Sequence, residues 1–162
     1  MARSIEVMDA TVSRPRRFFF SRIALCLTAL TLVRCAVVPP PATPKEVLAR
    51  TPVSDSNAVI ALAETARADT DGGNFTKAAA ALERALRIEP RNPRLWHELA
   101  QLKLKEGDYA QTASMAARSN TWAGTDKMLR AANWRLIGEA KRSLGDETGA
   151  RAAFDKAEVL TR

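Results

Sequence analysis

The chain has 162 residues, 27% of them charged, and a formal net charge of +7. That length suffices for one domain or one short array. With a single histidine, His97, and both cysteines, Cys26 and Cys35, near the N-terminus, a His/Cys metal site, a disulfide framework and a thiol-based centre are all excluded from the bulk of the chain.

The charge is unevenly spread. Residues 1–35 hold six basic and two acidic residues, leaving 19 basic against 16 acidic in the remainder. Nucleic-acid binding needs clustered cations on one folded face, and most of the excess basicity lies outside any such face. The first segment has the layout of an export signal instead. Arg14, Arg16 and Arg17 precede a mostly apolar, uncharged run at residues 23–33, shorter than the roughly 20 residues of a spanning helix. "LVRC" at residues 32–35 resembles the lipobox of bacterial lipoproteins, although Arg34 stands where a small residue is usual. That resemblance implies lipidation at Cys35. Ordinary signal-peptidase cleavage near Cys35 or Ala36, and an uncleaved anchor, are the other two readings. Cys26 sits inside the apolar run as a small apolar residue. The Pro-rich "AVVPPPATP" that follows is the composition of an extended, disordered tether, which carries a short helical turn opened by the capping box "TPKE" at residues 43–46.

From Ser56 onward the pattern is helical and regularly punctuated. Gly73 and Gly107 are 34 residues apart and Gly107 and Gly145 are 38 apart; Leu62 and Trp96 are separated by 34, Trp96 and Trp134 by 38. A 34-residue helix-turn-helix period is a tetratricopeptide signature. Residues 59–162 resemble tetratricopeptide repeat proteins in three units, about 59–92, 93–130 and 131–162. The first supplies Leu62, Thr65, Ala66, Phe75, Ala78, Leu82, Ala85 and Pro90. The second supplies Trp96, Leu99, Ala100, Tyr109, Thr112, Ala116 and Ser119, and the third Trp134, Ile137, Gly138, Ala150, Phe154 and Ala157. Asp69, Lys103 and Lys141 depart from the pattern, standing where an aromatic residue belongs.

The resemblance implies an all-α fold, a right-handed superhelical array at residues 56–162 preceded by a signal segment (1–35) and a tether (36–55). Small residues should face one another where the helices approach closely: Ala66, Ala100 and Gly138 on first helices against Ala78, Thr112 and Ala150 on second ones. Ala85, Ser119 and Ala157 should do the same towards the neighbouring unit. The four extra residues of the 38-residue step are close to one helical turn, so the third unit's first helix is expected to start near Asp126 and end at Ser143. Trp122 is expected to fill core space at the end of a second helix. Glu158, at the position of Leu86 in the first unit, reads as a polar cap that ends the array.

No catalytic constellation is visible. The glycine pair at residues 72–73 is a turn between helices, His97 is a lone histidine expected on a surface or groove, and Glu139 and Glu147 have no supporting groups. The chain is therefore read as a binding protein without cofactor or metal. In tetratricopeptide repeats the first helices line the concave face, and the family's contact positions fall on Arg67, Arg94, His97, Gln101, Lys105, Arg135, Glu139 and Arg142. Five of these eight are cationic, which suits an acidic protein or peptide partner, unless nearby acids compensate them. Ala63 and Glu98 do not supply the Lys and Asn of the carboxylate clamp used by some chaperone-binding members. The resulting expectation is an adaptor of the bacterial envelope, facing the periplasm and lipid-tethered to the outer membrane, or soluble in the periplasm. Alternatives are an assembly factor for an outer-membrane channel, comparable to a pilotin, and a cytoplasmic binder of nucleic acid or anionic surfaces.

Overall fold

A computed structural model describes Glu46, Leu48 and residues 52–162. Cys26, Cys35, the export-type segment and most of the Pro-rich tether lie outside the described residues. Six helices and no strand are present among those described: α1 (Asn57–Asp71), α2 (Phe75–Ile88), α3 (Pro93–Glu106), α4 (Tyr109–Trp122), α5 (Lys127–Ser143) and α6 (Glu147–Thr161).

The sequence explains where each helix begins and ends. Asn92 caps α3, its side chain accepting from the amides of Arg94 and Leu95, with Pro93 at the first helical position where its missing N–H costs nothing. Asp108, Asp126 and Asp146 cap α4, α5 and α6 through the amides of Gln111, Leu129 and Gly149. Each corner within a helix pair contains a glycine at positive φ: Gly73 (75°), Gly107 (78°) and Gly145 (82°). These are the glycines that set the repeat period. Their spacing reflects a left-handed backbone that other residues adopt only with strain.

The helices pair in sequence, α1 with α2, α3 with α4 and α5 with α6. Their antiparallel course is fixed by contacts at one end, where Ser119 Oγ at the close of α4 donates to Pro93 O at the start of α3 (2.7 Å). Between partners the small residues meet as their spacing predicts. Ala66, Ala78, Ala100, Thr112, Gly138 and Ala150 are all buried. At Gly138 the contact is tightest, since an added Cβ would stand 2.6 Å from the Phe154 ring. Alanine abundance in α2 is thus close packing, with Ala78 fully buried and Ala80 exposed. Larger side chains fill the space between these contacts. Leu82, Leu95, Leu102 and Leu129 are essentially inaccessible, each worth about 1.5–3 kcal/mol of burial.

The longer repeat step is taken up by helix rather than loop. In α3, Trp96 lies four residues after its cap Asn92, whereas in α5 Trp134 lies eight after Asp126. One added turn keeps the apolar face in register. Two expectations are corrected. Packing begins before residue 56: Val53 is buried in the core, its carbonyl accepts from Asn92 Nδ2 (2.8 Å), and Ser54 Oγ donates to Glu89 (2.6 Å). Trp122 is not a core filler. Its side chain is 40% exposed, with the Arg91 guanidinium stacked 5.1 Å from its ring centroid. Both it and the equivalent Ile88 project from the ends of second helices, beyond the layer that buries Ala85 and Ser119. Glu158 is exposed and paired with Arg162 (2.7 Å).

Candidate functional site

First helices of the three units, together with Leu48 and Val53, enclose a hollow of about 580 Å³. Its floor is apolar, formed by Ala66, Leu82, Leu102, Leu129, Ala132 and Leu136. Six of the eight sequence-predicted contact residues line it: Arg67, Arg94, His97, Gln101, Lys105 and Arg135. Glu139 and Arg142 do not. Glu139 is half-buried one turn further along α5, and Arg142 lies over the Phe154 ring, 5.6 Å from its centroid.

Most of the cations here have partners. Arg67 is bonded to Glu98, Arg94 Nη2 lies 3.3 Å from Asp126 Oδ2, and Lys105 Nζ lies 3.5 Å from Asp71. Arg94 also donates to Leu48 O at 3.5 Å. Arg135 is exposed and has no ion-pair partner among the described residues. Compensation by nearby acids, one of the two readings of this charged face, therefore holds for three cations, while Arg135 remains available. Lys105 is nearly so, because a 3.5 Å contact between two exposed side chains contributes little.

His97 corrects its sequence reading. It lines the hollow yet is only 6% exposed, because its ring is drawn into a hydrogen-bonded chain beneath the floor. Asn133 Nδ2 donates to Ser119 Oγ (2.7 Å) and Asn120 Oδ1 (3.0 Å), which leaves Asn133 Oδ1 to accept from His97 Nδ1 at 2.7 Å. His97 Nε2 then accepts from Gln101 Nε2 at 3.0 Å. This chain fixes the neutral, Nδ1-protonated tautomer. Burial pulls the His97 pKa below 6.5 and Arg94 adds to the effect, outweighing the Asn133 hydrogen bond and Asp126, which oppose it. The histidine is a structural strut linking α3, α4 and α5, and it adds no charge to the hollow near neutral pH.

Glu98 was recognised in the sequence only as a departure from a carboxylate clamp. In the structure it is the partner of Arg67 and lines the hollow. Burial raises its pKa, with the hydrogen bond and charge of Arg67 and the charge of Arg94 opposing, and its Oε2 has no hydrogen-bond partner among the described residues. Asn133 and Leu129 were also missed. Asn133 lies one residue before Trp134, outside the family's pattern, so only its three-dimensional neighbours identify it.

Comparison with known proteins agrees with this architecture. A tetratricopeptide repeat family model matches residues 70–125. The globular C-terminal domain of P. aeruginosa LpoP is structurally similar, with a TM-score of 0.63 and 39% sequence identity, over 65% of this chain and 99% of that one. No curated protein matches the sequence significantly.

Proposed function

The chain belongs to the tetratricopeptide repeat family, and from that premise we propose that it is a protein-interaction scaffold of the bacterial cell envelope that holds an acidic segment of a partner protein in the first-helix hollow. The observation that carries the reading is the hollow itself, an apolar floor beneath Arg135 and Lys105. An extended or helical segment with one or two apolar side chains can seat over the partly exposed Leu48 and Ala132 and the edge of Leu136 while its carboxylates meet those two cations. Placement in the envelope follows from the basic and apolar segment ahead of the tether, with lipid attached at Cys35. The similar LpoP domain is likewise the C-terminal part of its protein. Among the described residues no helix is long and apolar enough to cross a membrane; in this reading the anchor is the lipid on Cys35.

Two measurements test this proposal separately. Reversing Lys105 and Arg135 to Glu together abolishes capture of the partner from envelope extracts while leaving helical content and melting temperature nearly unchanged. Arg94 is unsuitable for that test, since Arg94→Glu would set a second acid beside Asp126, the cap of α5. Capture also weakens with added salt, because exposed pairs are screened over about 8–10 Å. Salt-insensitive capture that survives the reversal would move the partner to another face. Lipid labelling of the wild type, lost in Cys35→Ala along with membrane fractionation, tests the anchor. A soluble, unlabelled wild type would refute it.

A further inference from the structure

The two ends of the helical array differ in chemistry, and the difference follows from its antiparallel course. One end gathers residues 52–56, the α2–α3 loop, the α4–α5 loop and the end of α6. The opposite end gathers the three glycine corners. Among the described residues, three of the four exposed large apolar side chains, Ile88 (53%), Trp122 (40%) and Val159 (69%), belong to the first end, and only Leu144 to the other. Ile88 and Trp122 occupy the same repeat position at the ends of α2 and α4, and the Arg91 guanidinium over Trp122 joins the two loops' surfaces.

Charge divides in the same sense, though less sharply. Arg87, Arg91 and Lys127 are exposed at the first end without ion-pair partners among the described residues. Of the acids beside them, Asp126 is paired with Arg94 and Glu158 with Arg162, Glu89 accepts from Ser54 and Asn92, and Asp55 is exposed without an ion-pair partner among the described residues. At the glycine corners Asp71, Glu106 and Asp146 each hold a lysine, and Asp108 and Glu147 stand there with the exposed Lys77 and Arg142, so the two signs nearly balance.

From this polarity we propose that the end carrying Ile88, Arg91 and Trp122 docks on an anionic lipid surface. A tryptophan with an apolar body and a wet edge, flanked by long cationic side chains, is the composition of a membrane interface. Such a surface attracts each nearby Lys or Arg and accepts shallow apolar insertion. Continuity of the chain supports this occupant over a protein. Residues 52–56 lead into α1 at this same end, and the sequence before them runs through the Pro-rich tether to Cys35, the lipid-bearing residue of this reading, so the tether brings this end to the membrane first. Docking here leaves the hollow, on the side of the array, open to a partner. The inference rests on the envelope reading, which lipid labelling at Cys35 tests independently.

The experiment uses the full chain reconstituted in phosphatidylcholine vesicles with or without phosphatidylglycerol, the lipids brominated near the headgroup. Three variants each keep one tryptophan, the other two being replaced by Phe, and circular dichroism confirms their helicity. Trp122 emission is expected to shift to the blue and be strongly quenched in the anionic vesicles; Trp96, whose indole donates to Pro90 O in the α2–α3 loop, is quenched less, and Trp134, two turns along α5, is not. Arg87→Gln and Lys127→Gln, which touch neither the core nor the hollow, each lower the docked-to-undocked ratio about five-fold, the equivalent of about 1 kcal/mol per cation at an anionic surface. Equal quenching of all three tryptophans, no quenching of Trp122, or quenching indifferent to phosphatidylglycerol and to both substitutions overturns the proposal. Protection of Trp122 by envelope extract but not by vesicles also overturns it, and assigns this end to a protein.

Discussion

The seam between the first and second units and the seam between the second and third use one repeat geometry and both pack apolar side chains, but they differ in chemistry at one equivalent position. At the first, Leu82, Ala85 and Leu86 of α2 lie in a single apolar cluster with Leu95, Leu99 and Leu102 of α3. At the second, the position equivalent to Ala85 is Ser119, fully buried, and α5 answers it with Asn133. The backbone approach asks only for a small residue, which either seam supplies. The apolar seam tolerates any side chains of suitable volume, whereas the polar one is satisfied only when its donors and acceptors all find their counterparts. The second seam therefore specifies the angle of the third unit more narrowly, and it does so directly beneath the hollow.

The largest expected effect breaks the polar seam. Asn133→Leu strips His97 Nδ1, Ser119 and Asn120 of a shared partner, and unsatisfied buried groups cost roughly 1–3 kcal/mol each. A loss of about 3 kcal/mol in urea unfolding is expected. Adding Ser119→Ala and His97→Leu should restore most of it, because removing a whole polar set can be nearly neutral where removing one member is not. A triple variant as unstable as the single would show that the seam depends on shape rather than on its hydrogen bonds.

A moderate effect compares small-residue contacts within a unit. Gly138→Ala must push a Cβ into the Phe154 ring, and Ala78→Leu must overfill a site with no exposure. Each is expected to cost about 1–3 kcal/mol, as overpacked cores typically do, while the exposed Ala80→Leu leaves the melting temperature almost unchanged. Equal melting temperatures for Ala78→Leu and Ala80→Leu would contradict the assigned register.

These contrasts show what a linear sequence can and cannot express. Close helix contacts were legible because they repeat: alanine, glycine and threonine recur at one spacing, and Gly73, Gly107 and Gly145 recur where the backbone must turn left-handed. The added turn of α5 was legible for the same reason. Six of the eight contact residues expected from their positions on first helices line the hollow, yet their pairing was not legible, since Arg67 with Glu98 joins residues 31 apart on two different helices. Trp122 misled because an aromatic residue at a repeat position reads as core. Its exposure depends on how far the last turn of α4 extends past its neighbours. His97 misled in the opposite sense, as burial of a lone histidine requires Asn133 and Ser119 to meet it from two other helices.

The smallest expected effect sharpens that last point through pH. His97 has a pKa below 6.5 in the folded protein because burial disfavours its charge. Below about pH 6.5 the unfolded chain therefore binds more protons at this residue than the folded one, and stability falls as the pH drops towards the folded value. Glu98 acts in the opposite direction. Its folded pKa is raised above 4.5 by burial, so its contribution is fully present below 4.5 and is lost as pH rises through the folded value. Acidification from pH 7 towards 4.5 sets the two against each other, and the wild type should show only a shallow change in its urea midpoint. His97→Gln leaves the Glu98 effect alone, so its midpoint should rise on acidification. Glu98→Gln leaves the histidine effect alone and should fall more steeply than the wild type. Both variants are compared with the wild type at each pH, so the loss of a hydrogen bond common to both pH values cancels. A His97→Gln variant whose midpoint changes with pH no differently from that of the wild type would mean that the histidine titrates equally in both states, and that the buried chain through Asn133 does not hold it neutral.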